Sequence, residues 1–512
     1  MFLVLLLTLL GISVALFALS ELQGFIKIQN YKKQGIKHAE YRFLPAKLLE
    51  VKKLYKSKDF QSKRKKQFME FDHNQPFSVE SVGSRCYVTL LSSEAIKQFF
   101  AKELEVSIKI GLNTEVDKMG FFNKNGKIAE EQRAIFAKIF HYSNIVKLMP
   151  DIRSVIKQHV GRLKRKVSEA GGVLKINFEK DFNSYVFDDL TGCILLGGAQ
   201  NKVQQKFDGM TITQAIQKMF YLSLASNYSL INKLPFAGAL GLNKEVNEIR
   251  RLQGGVIDIV KKLYKEAYNQ KDKKLSDKNL LEIMIGYYKL AEKKGEKPKF
   301  SLKDISANFE IFQFAASDTS NQLSTTTITL LALAENKHYQ RRIRNEIETK
   351  FSENQNYTTE QLAELEEVDL VFKEALRMAS STSMISERVA IKDFDLCGCK
   401  VKKGDNLRHF LLGHQPAYFE DPQKFNPERF RRGSSECKMP PKMKFTPFSL
   451  GRRSCIGRYL GELMFKLILV ELVKEVEVGT EPGFVPKFGM NPLYGIKNSE
   501  LIVRLRIENG GR

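Results

Sequence analysis

Between Leu302 and His338 the chain contains neither Gly nor Pro. A helix over some 30 of these residues would run about 45 Å, enough to cross a whole domain. Its content, FEIFQFAAS and then TTTITLLALA, is apolar nearly all round, which predicts burial on every side. A second helix is predicted after Thr358-Thr359-Glu360, a cap, and includes Val371 to Met378. Strand-like segments are confined to two places: Cys86 to Leu91 (CYVTLL), and later Val389 to Leu396 with Leu501 to Ile507. The expected fold is mainly α with a minor β region.

The first nineteen residues, Met1 to Leu19, carry no charged side chain. That run is long enough to cross a hydrocarbon core of about 30 Å. No Lys or Arg precedes it and no A-x-A cleavage site follows, so it reads as a retained transmembrane signal anchor rather than a cleaved signal. Lys27, Lys32, Lys33 and Lys37 follow directly and, by the positive-inside rule, keep the remainder cytosolic. The expected organisation is an anchor over residues 1–20, a basic linker over 21–45 and one large domain over 46–512. Lys52, Lys53, Lys56, Lys58, Lys63, Arg64, Lys65 and Lys66, opposed only by Asp59, form a solvated surface or a face held against anionic headgroups.

The whole chain has 82 Lys+Arg against 58 Asp+Glu, a net charge of +24, which suits an acidic partner, an anionic membrane or nucleic acid. Six cysteines in 512 residues are too few for a disulfide scaffold. No CxxC pair occurs, and no set of ligands has zinc-site spacing.

The most informative segment is Phe448-Ser-Leu-Gly451-Arg-Arg453-Ser-Cys455-Ile-Gly457, followed by a helix-patterned run with Leu460, Leu463, Met464, Leu467 and Ile468 on one face. Cys455 therefore stands just before a helix N-terminus, where the unpaired N–H groups favour a thiolate. Gly451 and Gly457 let the backbone turn tightly and approach a flat ligand. Arg453 can reach an anionic group at that ligand's edge, and Phe448 can cover its face.

This pattern, Phe448-x-x-Gly451-x-Arg453-x-Cys455-x-Gly457, resembles the haem-thiolate loop of the cytochrome P-450 family. The resemblance implies haem b (iron protoporphyrin IX) with the Cys455 thiolate as axial ligand of the iron. Gly461, where the family often has Ala, is expected to loosen one helix turn. Glu374-Ala-Leu-Arg377 and Phe425-Asn-Pro427-Glu-Arg429-Phe430 resemble the family's E-x-x-R and P-E-R-F segments, so Glu374, Arg377 and Arg429 would form a buried network behind the haem. His414 and Asp421-Pro422 stand at family-like spacing before the second segment. Arg388, eleven residues after Arg377, is expected to bind a haem propionate. Gly126-Lys-Ile-Ala129-Glu-Glu-Gln-Arg133 is similar to a G-x-x-W-x-x-x-R helix; Arg133 would pair a propionate, with Ala129 replacing the Trp and Phe140 at a following aromatic position.

On the long helix, Ala315-Ala316-Ser317-Asp318-Thr319-Ser320 resembles the oxygen-activation motif A-G-x-D-T-T, with Ala316 where Gly is usual. Ile311, Ala315 and Thr319 are spaced by four and share a face. By resemblance the Thr319 hydroxyl would hydrogen-bond dioxygen and Asp318 would relay protons. The pocket would be lined by Ile311, Phe314 and Ala315, with Thr382 to Ile385 and Gly489-Met490 as further candidates.

The resemblance implies one large cytochrome P-450-type domain behind an N-terminal transmembrane helix. Its activity would be insertion of one oxygen atom from dioxygen into a hydrophobic small-molecule substrate. NADPH would supply electrons through a flavoprotein reductase, and the chain would sit in the endoplasmic reticulum membrane with its catalytic domain facing the cytosol. One rival is a haem-thiolate isomerase or dehydratase that needs no outside electrons; the Asp318-Thr319 pair disfavours it. A haem-binding sensor without turnover is disfavoured by the same pair. A nucleic-acid binder is disfavoured by the anchor and by the lack of any recognised module.

Overall fold

The computed structural model describes residues 2–47, 49–50, 75–109, 120–122, 124–197, 206–227, 243–269, 279–351, 357–379, 387–409, 413, 418–433, 445–490 and 493–506. The basic stretch 52–66, His414 and the pocket candidates Thr382 to Ile385 lie outside the described residues.

The helices, in chain order, are α1 (Phe2–Lys33), α2 (Ser93–Val106), α3 (Gly126–Ile139), α4 (Tyr142–Glu169), α5 (Ser184–Leu196), α6 (Ile212–Asn227), α7 (Lys244–Tyr268) and α8 (Leu280–Lys294). They continue with α9 (Leu302–Ala332), α10 (Lys337–Lys350), α11 (Thr359–Ala363), α12 (Glu366–Met378) and α13 (Arg458–Glu475). A six-stranded sheet takes the order Ala39–Arg42, Phe77–Val82, Arg85–Leu90, Asn406–His409, Glu387–Ala390, Ser107–Lys109. A three-stranded sheet joins Val476–Gly479, Glu500–Leu505 and Val173–Asn177. The mainly helical fold with a minor sheet is as the sequence pattern requires.

The Gly- and Pro-free stretch is α9, a single helix of 31 residues. Ser301 starts it with a reciprocal cap: its side chain accepts from Asp304 N, and Asp304 accepts from Ser301 N. Leu333 turns to extended backbone and ends it. From Ile305 to Phe314 and from Asn321 to Ala332 every residue is buried. It packs on α5, α6, α12 and α13, so it is the axis of the larger core.

The second predicted helix is broken in two. Thr358 caps the short α11, and Leu365, buried and extended, separates it from α12. The N–H groups of Glu366 and Glu367 at the new helix start donate to the Glu346 carboxylate of α10 at 2.7 and 2.9 Å. That external carboxylate satisfies the orphan donors of the first turn.

The expected linker over 21–45 is instead part of the folded body. Helix α1 does not stop near residue 20 but continues to Lys33. Ile28, Tyr31, Ile36 and Ala39 are buried with Phe77, Val79, Cys86 and Val88 of the six-stranded sheet. At Gly24 the helix backbone lies against the sheet's hairpin; a Cβ there would sit 1.9 Å from the Gly83 carbonyl oxygen, so only glycine permits the approach. Tyr31 Oη donates to Asp405 at 2.7 Å, and Lys27 pairs with the same carboxylate at 3.0 Å. Asp405, fully buried, also accepts from Lys402 N at 3.2 Å. Among the described residues, one helix is long and apolar enough to cross a membrane, over Gly11–Lys33.

Asp405 thus joins α1 to the sheet. Asp405→Ala is expected to lower stability by about 2 kcal/mol, since it strands a buried tyrosine hydroxyl and removes a charge-assisted bond. Urea denaturation should read that loss, with faster amide exchange in residues 24–33.

Candidate active site

The cysteine loop is built from local turns. Ser449 and Gly451 both adopt positive φ, 60° and 70°. Gly451–Arg453 forms a single 3₁₀ turn, and Cys455 N donates to Phe448 O at 2.9 Å. Helix α13 follows, with Gly457 at its N-cap position. Cys455 is exposed on the open side of its loop, with protein packed densely around its other sides. Burial pushes the Cys455 thiol up, while the Gly457 N–H, Arg133, Lys109 and Arg458 pull the other way. The helix N-terminus alone, which the sequence pattern credits with favouring a thiolate, does not prevail against desolvation; coordination to a cation would deprotonate the thiol outright. Gly461 N donates to Gly457 O at 2.8 Å, so that turn of α13 is intact rather than loosened.

The two loop glycines serve different needs. A Cβ on Gly451 would strike Glu103 Oε2 at 2.3 Å and Phe100 at 3.2 Å. A Cβ on Gly457 would meet no protein atom within 4 Å. The second position therefore faces open space, which leaves room for a flat ligand lying on the loop.

Three guanidiniums gather beside the loop. Arg133 of α3 donates to Ser454 O at 2.6 Å. Arg453 donates to Phe121 O at 3.3 Å and Phe122 O at 2.5 Å. Arg388 lies near enough to act on Arg453, and burial together with Arg133 and Arg388 pushes Arg453 down to about 10. Arg388, expected to face a propionate, is held by Glu103 of α2, with Nε and Oε1 2.5 Å apart. Lys109 stands over the Phe122 ring, and its backbone is tied to Asn125 at the start of α3. Such a crowd of cations around one carboxylate attracts a strongly anionic group. Ala129, in place of the expected Trp, is buried in the core.

On α9 the burial breaks in the middle. Ala315 is exposed and Ala316, Thr319 and Ser320 are half-buried, although the helix is enclosed on both sides of them. This strip borders an internal opening. Thr319 Oγ1 donates to Ala315 O at 2.6 Å. Ile311 is buried, and Phe314 stacks face to face on Phe220 of α6, centroids 3.7 Å apart; Phe314 is thereby a helix-packing residue.

Asp318 is buried and accepts from Gln217 of α6. Burial pushes it up to about 7, with Glu179 adding and Lys497 opposing. Asp188 of α5, partly accessible yet ringed by protein, accepts from Ser317 Oγ at 3.2 Å and is likewise raised to about 7, chiefly by burial. Lys497, behind them, is pushed down to about 8 by burial. Two carboxyls and an amine that change charge near neutrality therefore back the open strip.

The structure brings Glu374, Arg377 and Arg429 together. Arg377 grips Glu374 through two bonds of 2.7 and 2.8 Å and donates to the carbonyls of Gly413, Pro422 and Lys424. Arg429 Nε stands 3.5 Å from Glu374, which also accepts from Asn426 N at 2.7 Å.

A model of the cytochrome P450 family matches residues 47–501. The chain belongs to the cytochrome P450 family. Among curated relatives, cytochrome P450 72C1 of Arabidopsis thaliana is 24% identical over 424 residues, 78% of either chain. Cytochrome P450 3A28 of Bos taurus is 28% identical over 236 residues, which span 45% of this chain and 45% of the relative. The solved structure of retinoic acid-bound cyanobacterial CYP120A1 superposes with a TM-score of 0.72 at 20% identity, over 89% of this chain and 96% of that one; it speaks for the fold. Membership implies a haem with a cysteine thiolate ligand. The residues present fit that group: a reachable sulfur, a glycine-cleared surface beside it and a cation cluster suited to two carboxylates.

Glu103, Lys109, Asp188, Gln217 and Lys497 have no place in the sequence motifs. A signal existed for two of them. Glu103 falls on the buried face of α2 with Ala95, Ile96 and Phe99, and Asp188-Asp189 interrupts an apolar run.

Two outcomes follow. Glu374→Gln is expected to cost about 3–5 kcal/mol by leaving Arg377 buried without its carboxylate; thermal melting and the yield of haem-loaded protein should both fall. Asp318 ionises near 3.8 when unfolded and near 7 when folded. The folded state therefore holds its proton longer, and stability declines as pH rises from about 4 to 7, then levels. Asp318→Asn should show a shallower decline, Asp188 supplying the remainder, and gain of order 2–4 kcal/mol over wild type above pH 7 in denaturation series.

Proposed function

We propose that the chain is a membrane-anchored haem-thiolate monooxygenase of the endoplasmic reticulum, inserting one oxygen atom from dioxygen into a hydrophobic small molecule. Electrons come from NADPH through a flavoprotein reductase, and the net charge of +24 favours docking of an acidic redox partner. Haem, when bound, supplies the oxygen-activating redox chemistry. Cys455 supplies the axial thiolate. Arg133 and Arg453, with Lys109, offset the acidic edge of the macrocycle.

The observation that carries the reading is the open strip on α9 backed by Asp318. A carboxyl poised near pH 7 both holds and releases a proton under cellular conditions. In this reading Thr319, one residue on and half-buried at the strip, would hold the hydroxyl through which a proton from Asp318 reaches the site. The small side chains of Ala315 and Ala316 leave room there. Isomerisation or dehydration without outside electrons does not require such a proton store.

The direct test is the carbon monoxide difference spectrum of the reduced protein. Wild type should show the red-shifted Soret band of a thiolate ligand, and Cys455→Ser should lack it. With reductase and NADPH present, Thr319→Ala is expected to lower product formation about 10²-fold while NADPH consumption falls less. Turnover of substrate at an undiminished rate without NADPH would replace this reading by the isomerase or dehydratase one.

A further inference from the structure

Glu103 is the one carboxylate that touches both Arg388 and the cysteine loop among the described residues. It stands near the end of α2 and is 3% exposed, against 2% for Arg388. Its Oε1 meets Arg388 Nε at 2.5 Å. Its Oε2 occupies the place a Cβ on Gly451 would need. Its charge also acts on Arg133 and Arg453. Helix α2, the strand Glu387–Ala390, helix α3 and the loop before α13 thus converge on this side chain.

Elementary electrostatics give this a consequence. Arg133, Arg388 and Arg453 would carry three positive charges in a poorly solvated space. Lys109 adds a further cation and Glu130 a further carboxylate acting on Arg453, and the cluster keeps the positive excess that suits an anionic ligand. Arg388 gives only its Nε to Glu103, so the ion pair need not break, and strand a buried carboxylate, when an anionic ligand binds beside it.

We propose that Glu103 is a positioning residue of the haem site, fixing the Arg388 guanidinium, seating the Gly451 turn of the thiolate loop, and placing one negative charge beside the macrocycle. The inference rests on haem binding as implied by family membership, and goes beyond the oxygenase reading. Because the oxidised iron carries one more positive charge than the reduced, a nearby carboxylate favours the oxidised state. Its removal moves the midpoint potential upward, and removal of Arg388 moves it downward.

The test uses the full-length holoprotein without substrate, by spectroelectrochemical titration and by haem transfer to apomyoglobin. Glu103→Gln should raise the potential, Arg388→Gln should lower it, and the double variant should lie near wild type. Glu103→Asp keeps the charge but withdraws it from Gly451, so its potential should stay near wild type. Haem transfer should be roughly tenfold faster in both Glu103 variants, as expected for loss of a charge-assisted contact. A merely structural role would speed haem loss in Glu103→Gln without moving its potential. Equal potentials in Glu103→Gln and wild type would overturn the proposal. If Glu103→Gln yields no folded protein, equal potentials in Arg388→Gln and the double variant would do the same. Neither readout involves oxygenation. Product formation with unmoved potentials sinks this inference alone, and moved potentials without product sink only the oxygenase reading.

Discussion

The grip of Arg377 on Glu374 is the interaction on which the rest of the molecule leans. Both side chains are wholly excluded from solvent, where a lone charge of either sign would be untenable. Arg377 therefore needs more than its carboxylate, and takes the carbonyls of Gly413, Pro422 and Lys424. Glu374 in turn takes Asn426 N. Gly413 is required for this: a Cβ would lie 2.7 Å from the Arg377 carbonyl oxygen. The irregular chain between the sheet and the cysteine loop is thus pinned to α12 by charge. The loop inherits its position from that pin, because Phe430 and Phe445 pack at a tilt, ring centroids 5.1 Å apart, just upstream of it.

Helix α9 resolves a second demand, that of burying many polar groups. Thr327 and Thr329 return their hydroxyls to the carbonyls of Leu323 and Thr325, one turn back, at 2.7 and 2.8 Å. Asn183 donates to both Asn321 and Thr325. Along the half of the helix after Thr319 these groups are satisfied, whereas Asn308 Nδ2 and Gln313 Oε1 nearer its start are buried without a hydrogen-bond partner. Only around Ala315 and Thr319 does the helix turn small and polar groups toward open space, and there the buried acids lie behind it.

Much of this was legible beforehand, for physical reasons. The loop around Cys455, the Glu374-Arg377 pair and the Gly-free helix each declare themselves within a few residues of sequence. Glu103 and Arg388, by contrast, are 285 positions apart, and Asp188 finds Ser317 across 129. No local pattern reports such pairings; they exist only once the fold has brought the elements together. The same holds for Phe314, whose place on the helix gives no hint of the ring of Phe220 waiting on α6. The end of the first helix was misplaced because the uncharged run stops at residue 19, while the helix itself does not. Lys27 and Tyr31 belong to the folded body through Asp405, a partner 378 and 374 residues away.

On the proposal that the first helix is a membrane anchor, its unbroken course bears on how the body would meet a bilayer. An anchor on a slack tether would let the body tumble and present any side to the lipid. Here the apolar shaft continues as a rigid rod into the sheet, where Gly24 and Gly83 touch and no hinge intervenes. With its upper half in lipid, tilt of the shaft becomes tilt of the whole body. Ring pairs at the junction, Phe17 on Phe43 and Phe25 on Tyr41, would then lie at the level of the headgroups. The angle at which greasy molecules would diffuse from the lipid toward the interior is in that case set by how Gly24, Lys27 and Tyr31 seat the shaft on the sheet.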